Sequence, residues 1–399
     1  MTSALLQRVQ ARLVRPEWAE RVVSPAYDML RPQQRHELME KDPYVFLHVT
    51  RSLGDDQRQT TSEEVSVSNA EALIRLLEAD VYEQVRDPSL YLYQLRSGDH
   101  QQTGVIGDIS LQAVEEGKII PHERTRPHRS MHLADHLERI GIHSSPVALG
   151  YEDDDGIASI VDEIKHGVPL LDFQREDMVQ QTIWMVPDNQ IENILTLFRD
   201  KKAYVVDGHH RVSAALEMWN RTGKSEKYGS LLIAIFPLSD LKIRPFHRRV
   251  GDVNGHSVED LYQAIASQDF TLTPLDDSKD PNPKACGEFS MYVNHQWISL
   301  KPSRMHPSEI DSGLLQKRIL GPIFNIDEAE YGDRLDYLPG NSGLSYFVNQ
   351  TDQEGGVVFA LHPVPLTQLI SVADRGKTFP PKSTYFAPKV RSGIFIAHR

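Results

Sequence analysis

The spacing of apolar residues predicts alternating helices and strands along much of the chain. Residues 62–85 carry apolar side chains at helical spacing with Ser62 as the predicted cap, and residues 90–95 form a short apolar run typical of a strand. The alternation continues through residues 182–187 and 191–200. Such a pattern is typical of mixed α/β layers.

Two stretches near the start of the chain complete this pattern. Val22 and Val23 are predicted to form a strand that Ser24-Pro25 ends, since proline cannot extend a ladder of hydrogen bonds. Residues 31–43 are predicted to be a helix with Pro32 in its first turn, and residues 44–53 a strand.

The pattern changes toward the C-terminus. Ser257 and Asp260 have the spacing of a capping box before a helix. Further on, residues 287–300 predict a hairpin that turns at Asn294-His295. We therefore expect an α/β (α+β) fold, with a mixed α/β domain over residues 1–268 and a smaller, more antiparallel domain over residues 269–399, although no Gly/Ser-rich or Pro-rich linker separates them.

Composition narrows the classes of function. The 399 residues have a formal net charge of −13 at pH 7, which disfavours nucleic acid and anionic membranes as partners. Cys286 is the only cysteine, so an intramolecular disulfide and a Cys-x-x-Cys redox pair are excluded. No apolar stretch reaches the ~20 residues of a membrane span, and the N-terminus lacks a signal-peptide pattern. A cytoplasmic protein acting on small molecules is expected, of undetermined oligomeric state.

The most informative segment is residues 203–219. A short apolar run, Ala203 to Val206, precedes a stretch with helical spacing, so Asp207-Gly208-His209-His210-Arg211 lies at a strand-to-helix turn. Such a turn favours anions, because backbone N–H groups and the positive end of the helix dipole point outward. Gly208 allows close approach of a phosphate, Arg211 offers a forked donor, and either histidine can transfer a proton. The structural alternative is that Asp207 caps the helix and the histidines are solvated.

Five segments in order resemble the family called domain of unknown function 1015 (DUF1015). The turn lies in YVVDGHHRVSAAL, which resembles the signature of that family. The other four resemblances are VVSPAYDML with the following strand region DPYVFLHVTRS, the segment IIPHERTRPHRSMHLADHLERIGIHSSPVAL, the element IRPFHRRV, and the C-terminal TFPPKSTYFAPKVRSGIFI. Together they cover the chain nearly end to end.

The resemblance implies a nucleotide site similar to that of ParB and sulfiredoxin-like proteins, some of which resemble free-serine kinases. It thereby implies ATP or ADP with Mg²⁺, and transfer of a phosphoryl group to a small molecule, with free L-serine as the expected acceptor. Glu123 and His210 become the candidate catalytic residues. The candidates for binding are, for the nucleotide, Asp207, Gly208, His209, His210, Arg211, His247 and Arg248, and for the substrate, His122, Thr125, Lys382, Ser383 and Thr384.

No P-loop and no protein-kinase catalytic loop occurs in the chain, and two other classes of function stay open. One is a nucleotide-binding regulator without catalysis. The other is a metal-dependent phosphohydrolase that uses His128, His132 and His136, which are spaced four apart as on one helical face. The arginines around these histidines disfavour a bound cation. For Tyr27-Asp28, a structural role in a turn is favoured over substrate binding.

Overall fold

A computed structural model describes residues 4–53, 55, 61–84, 87–276, 280–305, 309–326, 334–340, 343–380 and 382–399. The chain forms two compact units. The first comprises Met1–Pro121, Thr125–Leu241 and Pro388–Arg399, and the second comprises His122–Arg124 and Lys242–Ala387. Both combine helices and sheets, which confirms the predicted α/β class.

The first unit is built on a mixed sheet. Its described helices are α1 (Pro16–Val22), α2 (Pro32–Lys41), α3 (Leu47–Thr50), α4 (Ser62–Glu78), α5 (Leu111–Glu115), α6 (Pro127–Ile140), α7 (Asp155–Lys165), α8 (Asp188–Phe198) and α9 (His209–Arg221). Its described strands are β1 (Arg12–Val14), β2 (Tyr82–Gln84), β3 (Tyr91–Ser97), β4 (His100–Ser110), β5 (Ile119–Ile120), β6 (Ile142–His143), β7 (Val147–Tyr151), β8 (Leu171–Gln174), β9 (Gln180–Met185), β10 (Ala203–Asp207), β11 (Ser230–Pro237) and β20 (Phe395–His398).

Eight of these strands form one sheet in the order β5-β10-β7-β11-β4-β3-β9-β8. The pairs β5–β10 and β7–β11 are parallel, and the other pairs are antiparallel. Apolar residues of the sheet pack against those of helices α7, α8 and α9 in one continuous core. Burial of these side chains is the main stabilisation of the unit. The short apolar strand β10 therefore lies inside the sheet and fixes the start of the turn that follows it.

Two predictions for the N-terminal region are wrong. Val22 ends helix α1, and the apolar run at 44–53 contains helix α3 rather than a strand. Short apolar runs do not distinguish a strand from a buried helical turn, because both bury consecutive apolar side chains. The predicted cap of α4 also shifts by one residue, since the Thr61 hydroxyl accepts from the Glu64 backbone N–H in a capping box.

The C-terminal segment returns to the first unit. Strand β20 pairs with β1 on one side and β6 on the other, in a four-stranded sheet ordered β2-β1-β20-β6. A buried ion pair joins the segment to strand β4, with the Arg399 Nη2 atom 2.5 Å from an Asp108 carboxylate oxygen. The two units differ in their bounds from the predicted domains 1–268 and 269–399. Residues 122–124 and 242–268 belong to the second unit, and the pairings of β20 carry residues 388–399 into the first.

The second unit is antiparallel, as predicted. Its described helices are α10 (Val258–Ser267), α11 (Asp311–Leu315), α12 (Ser345–Glu354) and α13 (Leu366–Asp374). Its described strands are β12 (Ile243–Arg244), β13 (Phe246–Val250), β14 (Phe270–Pro274), β15 (Phe289–Val293), β16 (Gln296–Pro302), β17 (Leu335–Pro339), β18 (Val357–Leu361) and β19 (Tyr385–Phe386). Six of them form a sheet ordered β14-β16-β15-β18-β13-β17, and β12 pairs with β19.

Local sequence signals predict two details of this unit correctly. The hairpin of β15 and β16 turns at Asn294 and His295, whose φ angles of 48° and 61° match the left-handed conformation of a two-residue hairpin turn. Helix α10 begins after Ser257, whose hydroxyl accepts from the Asp260 N–H at 3.1 Å. Among the helices of the described residues, none is long and apolar enough to cross a membrane.

The predicted N-cap of α10, Ser257, can be tested by substitution. Replacing the cap, Ser257→Ala, is expected to lower the free energy of unfolding of the second unit by about 1 kcal/mol, because the Asp260 N–H loses its acceptor. Urea unfolding followed by the fluorescence of Trp297 measures this change. Ser267→Ala, at the other end of the helix, is the matched control, because its hydroxyl donates to the Ala264 carbonyl and caps no N–H group at the start of the helix. Equal losses for both variants would contradict the capping role.

Candidate phosphate-binding turn

Gly208 connects strand β10 directly to helix α9. Its φ of 102° lies in the left-handed region that favours glycine. A Cβ atom at this position would lie 2.8 Å from the Nε atom of Arg211. Both constraints require glycine there. Because α9 begins at His209, the positive end of its dipole lies at the turn, as an anion site requires.

Arg211 holds the turn from within the protein. Its Nη1 atom donates to the carbonyl oxygens of Ser145 and Pro146 at 2.6 and 2.7 Å, and its Nη2 atom donates to Asp207 at 2.6 Å. The guanidinium thus joins the turn to the segment that precedes strand β7. The predicted role of Arg211 as a donor to phosphate stays a prediction, and it requires an exchange of some of these bonds.

Asp207 is bound by a second cation, Lys389. The Lys389 ammonium lies 2.5 Å from Asp207 Oδ1 and 2.6 Å from Asp28 Oδ2, and its side chain is 4% exposed. Burial lowers the pKa of Lys389, but the two carboxylates outweigh burial and raise the pKa above its usual value. Lys389 is therefore charged at neutral pH. Asp207 thus accepts from two cations, one on each carboxylate oxygen.

Helix α6 packs along helix α9 and contributes to the surroundings of the turn. Ser130 of α6 has its hydroxyl 3.4 Å from His210 Nδ1, and Ser213 of α9 donates to the Thr125 hydroxyl at 3.2 Å. His209 is buried, while His210 is half-buried. The structure thus brings the predicted residues Thr125 and His210 onto two contacting segments of the same unit.

The histidines of α6 do not form a metal cluster. The Nε2 atoms of His128 and His132 lie 3.0 Å apart on the exposed face, whereas His136 contacts the Asn69 side-chain amide. Burial lowers the pKa of His136 to about 4. Over the described residues, no three His, Cys, Asp or Glu side chains gather in a way that would hold a metal ion. The phosphohydrolase alternative therefore gains no support from geometry.

The second unit contains the other predicted site residues. Glu123 lies in a parallel bridge with Phe379, and the neighbouring His122 is fully buried, with its Nε2 atom 3.0 Å from the Thr384 hydroxyl. The Ser383 hydroxyl contacts the Ser312 hydroxyl at 2.7 Å and donates to the Pro380 carbonyl. Ser383 and Thr384 are buried, so their hydroxyls connect segments of this unit.

His247 and Arg248 are buried in strand β13. The His247 Nδ1 atom accepts from the Leu361 N–H at 3.3 Å, and burial, with Arg248 nearby, lowers its pKa to about 4. His247 is thus neutral at pH 7, and its role in nucleotide binding stays a prediction. Arg248 donates to the Lys382 carbonyl at 2.9 Å and lies over the Tyr337 ring, while the Lys382 ammonium lies over the Phe246 ring.

Sequence reasoning missed the main anchors of the turn. Lys389 follows the Pro-Pro-Lys-Ser-Thr-Tyr-Phe motif by three residues, and Ser145-Pro146 ends the segment that begins at His122. Both lie within segments that resemble the DUF1015 family. This resemblance is the sequence signal that could have identified them. The interpretation of Asp28 as a turn residue also misses its ion pair with Lys389.

The sequence profile of the family described as "Protein of unknown function (DUF1015)" matches residues 8–322. The chain belongs to the DUF1015 family. Comparison with curated proteins found no match.

Solved structures give distant likenesses to this DUF1015 protein. A free serine kinase in complex with AMP is 14% identical, with 71% of this chain and 87% of that chain covered and a TM-score of 0.38. A conserved hypothetical protein from Pyrococcus furiosus is 14% identical, with 73% and 95% covered and a TM-score of 0.39. A C-terminally truncated SbnI from Staphylococcus aureus is 11% identical, with 71% and 84% covered and a TM-score of 0.38.

Close packing at Gly208 can be tested by comparison with a second glycine, at the other end of α9. Gly208→Ala is expected to destabilise the protein by more than the roughly 1–2 kcal/mol of left-handed strain, because its Cβ atom meets Arg211. Gly223, just beyond the other end of α9, has a φ of 66° with no atom within 4 Å of an added Cβ atom, so Gly223→Ala reports strain alone. Thermal unfolding compares the two variants. Equal destabilisation would contradict close packing at Gly208.

The buried imidazole of His247 predicts a pH dependence. Its pKa of about 4 lies below that of an unfolded histidine, so the unfolded chain binds more protons and stability falls as the pH drops from about 6.5 to 4. His247→Asn keeps an acceptor near the Leu361 N–H and removes the titrating ring. The urea midpoint of this variant is expected to fall less between pH 7 and 5 than that of the natural chain. An unchanged pH dependence would contradict the buried neutral state.

Proposed function

We propose that this DUF1015 protein is a nucleotide-dependent small-molecule kinase that binds phosphate at the turn of Asp207 to Arg211. Free L-serine is the proposed acceptor, and O-phosphoserine the product. The observation that carries the proposal is Gly208 in a left-handed conformation at the start of α9, beside an aspartate whose charge two cations balance. The family resemblance supports the choice of a nucleotide as phosphoryl donor and of serine as acceptor.

Charge balance makes this turn compatible with an anion. An isolated carboxylate at Asp207 would repel a phosphate that approached the helix end. Here Arg211 and Lys389 each contact one oxygen of Asp207, and Asp28 balances the second charge. These four charged side chains together carry no net charge, so the positive end of the α9 dipole determines the sign of the local field. The net field at the turn favours a phosphate group.

The proposed chemistry assigns a role to each candidate residue. Glu123 accepts the proton of the serine hydroxyl as that oxygen attacks the terminal phosphorus, and the nucleotide leaves with the electron pair of the broken P–O bond. His210, at the start of α9, is proposed to donate a hydrogen bond to the transferring phosphoryl group. Arg248 and Arg211 are the proposed cationic groups around the phosphates. The resemblance also assigns acceptor binding to His122, Thr125, Lys382, Ser383 and Thr384, of which the buried His122, Ser383 and Thr384 are proposed to act by holding neighbouring segments in place.

A magnesium ion would enter with the nucleotide, mainly on phosphate oxygens. Asp207 is poorly suited as its ligand, since both of its oxygens already accept from cations. The described residues offer no cluster of three acidic or imidazole ligands that would hold the ion alone. When bound, the ion neutralises charge on the phosphates. The roles given above to Glu123 and His210 do not depend on it.

Phosphorus NMR tests this function directly. The protein is incubated with magnesium, L-serine and either ATP or ADP, and formation of O-phosphoserine is followed. Glu123→Gln removes the proposed base at nearly constant size, and His210→Ala removes the proposed donor. Each is expected to reduce the rate by about 10²-fold or more, the scale typical of general acid–base groups.

His132→Ala is the control, because that exposed histidine has no role in the proposed reaction. Product from the natural chain and from His132→Ala, with strong losses in the other two variants, would support the kinase. Nucleotide binding without product would favour the regulator. Product formation that is insensitive to both Glu123→Gln and His210→Ala would contradict the assigned roles.

A further inference from the structure

Lys389 is a buried cation that connects segments far apart in the sequence. It contacts Asp28, which is 361 residues away along the chain, and Asp207, which is 182 residues away. The lysine side chain is 4% exposed, whereas those of Asp28 and Asp207 are 43% and 20% exposed. The ammonium thus lies inside the first unit, and the carboxylates lie toward its surface.

Such a buried lysine is costly unless it is paired. Removing an ammonium from water is unfavourable by several kcal/mol, which two short contacts to carboxylates offset. The loss of Lys389 would leave Asp28 and Asp207 close together without the charge between them. Repulsion would then move the strand end that precedes Gly208, because Asp207 is the last residue of β10.

Backbone contacts restrain the same two chain segments. Ser24, four residues before Asp28, exchanges two backbone hydrogen bonds with Ser392, and the Ser392 hydroxyl lies 2.6 Å from that of Ser145. Ser145 also accepts from Arg211 through its carbonyl oxygen. Two series of contacts therefore connect the C-terminal segment with the turn. One runs through Lys389 and Asp207. The other runs from Ser392 through Ser145 to Arg211.

We infer that Lys389 is a positioning residue of the phosphate-binding turn, which it acts on through Asp207 and with Asp28 as its second anchor. The inference deepens the proposed function and rests on it for the identity of the ligand. Lys389 itself touches neither phosphate nor acceptor. Its effect is to hold Asp207, and hence Gly208 and the start of α9, in the conformation that binds an anion.

Hydrogen exchange and ADP binding test this inference on the full chain. Lys389→Met is expected to accelerate exchange of the backbone amides at 206–212 and to weaken ADP binding by roughly tenfold or more, as measured by calorimetry. In the Lys389→Met background, Asp28→Asn should restore part of the ADP affinity, because Asp28 and Asp207 with Arg211 carry one excess negative charge, which this substitution removes.

Arg399→Gln is the matched control, since it breaks another buried ion pair of the C-terminal segment, with Asp108. It should lower the melting temperature and leave exchange at 206–212 unchanged. If Lys389→Met leaves exchange and ADP affinity equal to those of the Arg399→Gln control, the positioning role is overturned. The exchange measurement decides this even if the natural chain makes no phosphoserine or binds no ADP, outcomes that count against the proposed function instead.

Discussion

The contact of one buried ammonium with two carboxylates is the constraint on which the candidate site depends. Lys389 lies between Asp28 and Asp207, and Arg211 contacts the remaining oxygen of Asp207. These contacts join the N-terminal region, the strand β10 and the C-terminal segment of the first unit. Gly208, in its left-handed conformation, comes directly after Asp207 and before helix α9. The contacts of Asp207 therefore restrain the position of α9 relative to β10.

Within this network the charged residues of the turn have different roles. Arg211, which in isolation resembles a phosphate-binding arginine, is held by Asp207 and by two backbone carbonyls. The guanidinium thus maintains the geometry of the turn, and a direct contact with phosphate would require it to exchange some of these bonds. Because the charged side chains at the turn balance one another locally, an anion can bind there although the whole protein has a net charge of −13.

Local features of the site were predictable from sequence, and its long-range contacts were not. The strand, glycine turn and helix over residues 203–219 follow from apolar periodicity and from the conformational freedom of Gly208. The partners of Arg211 and Asp207 come from residues at 145, 146 and 389, which no local pattern connects. The helix at Leu47–Thr50 was missed for a related reason, because burial by tertiary packing, not local propensity, decides short apolar runs.

A crystal structure of the protein with ADP and magnesium would show where the phosphates bind. If the turn is the phosphate site, a phosphate group lies within hydrogen-bonding distance, about 3 Å, of backbone N–H groups between Gly208 and Arg211, with the contacts of Lys389 to Asp28 and Asp207 retained. ADP bound with its phosphates away from this turn would contradict this assignment.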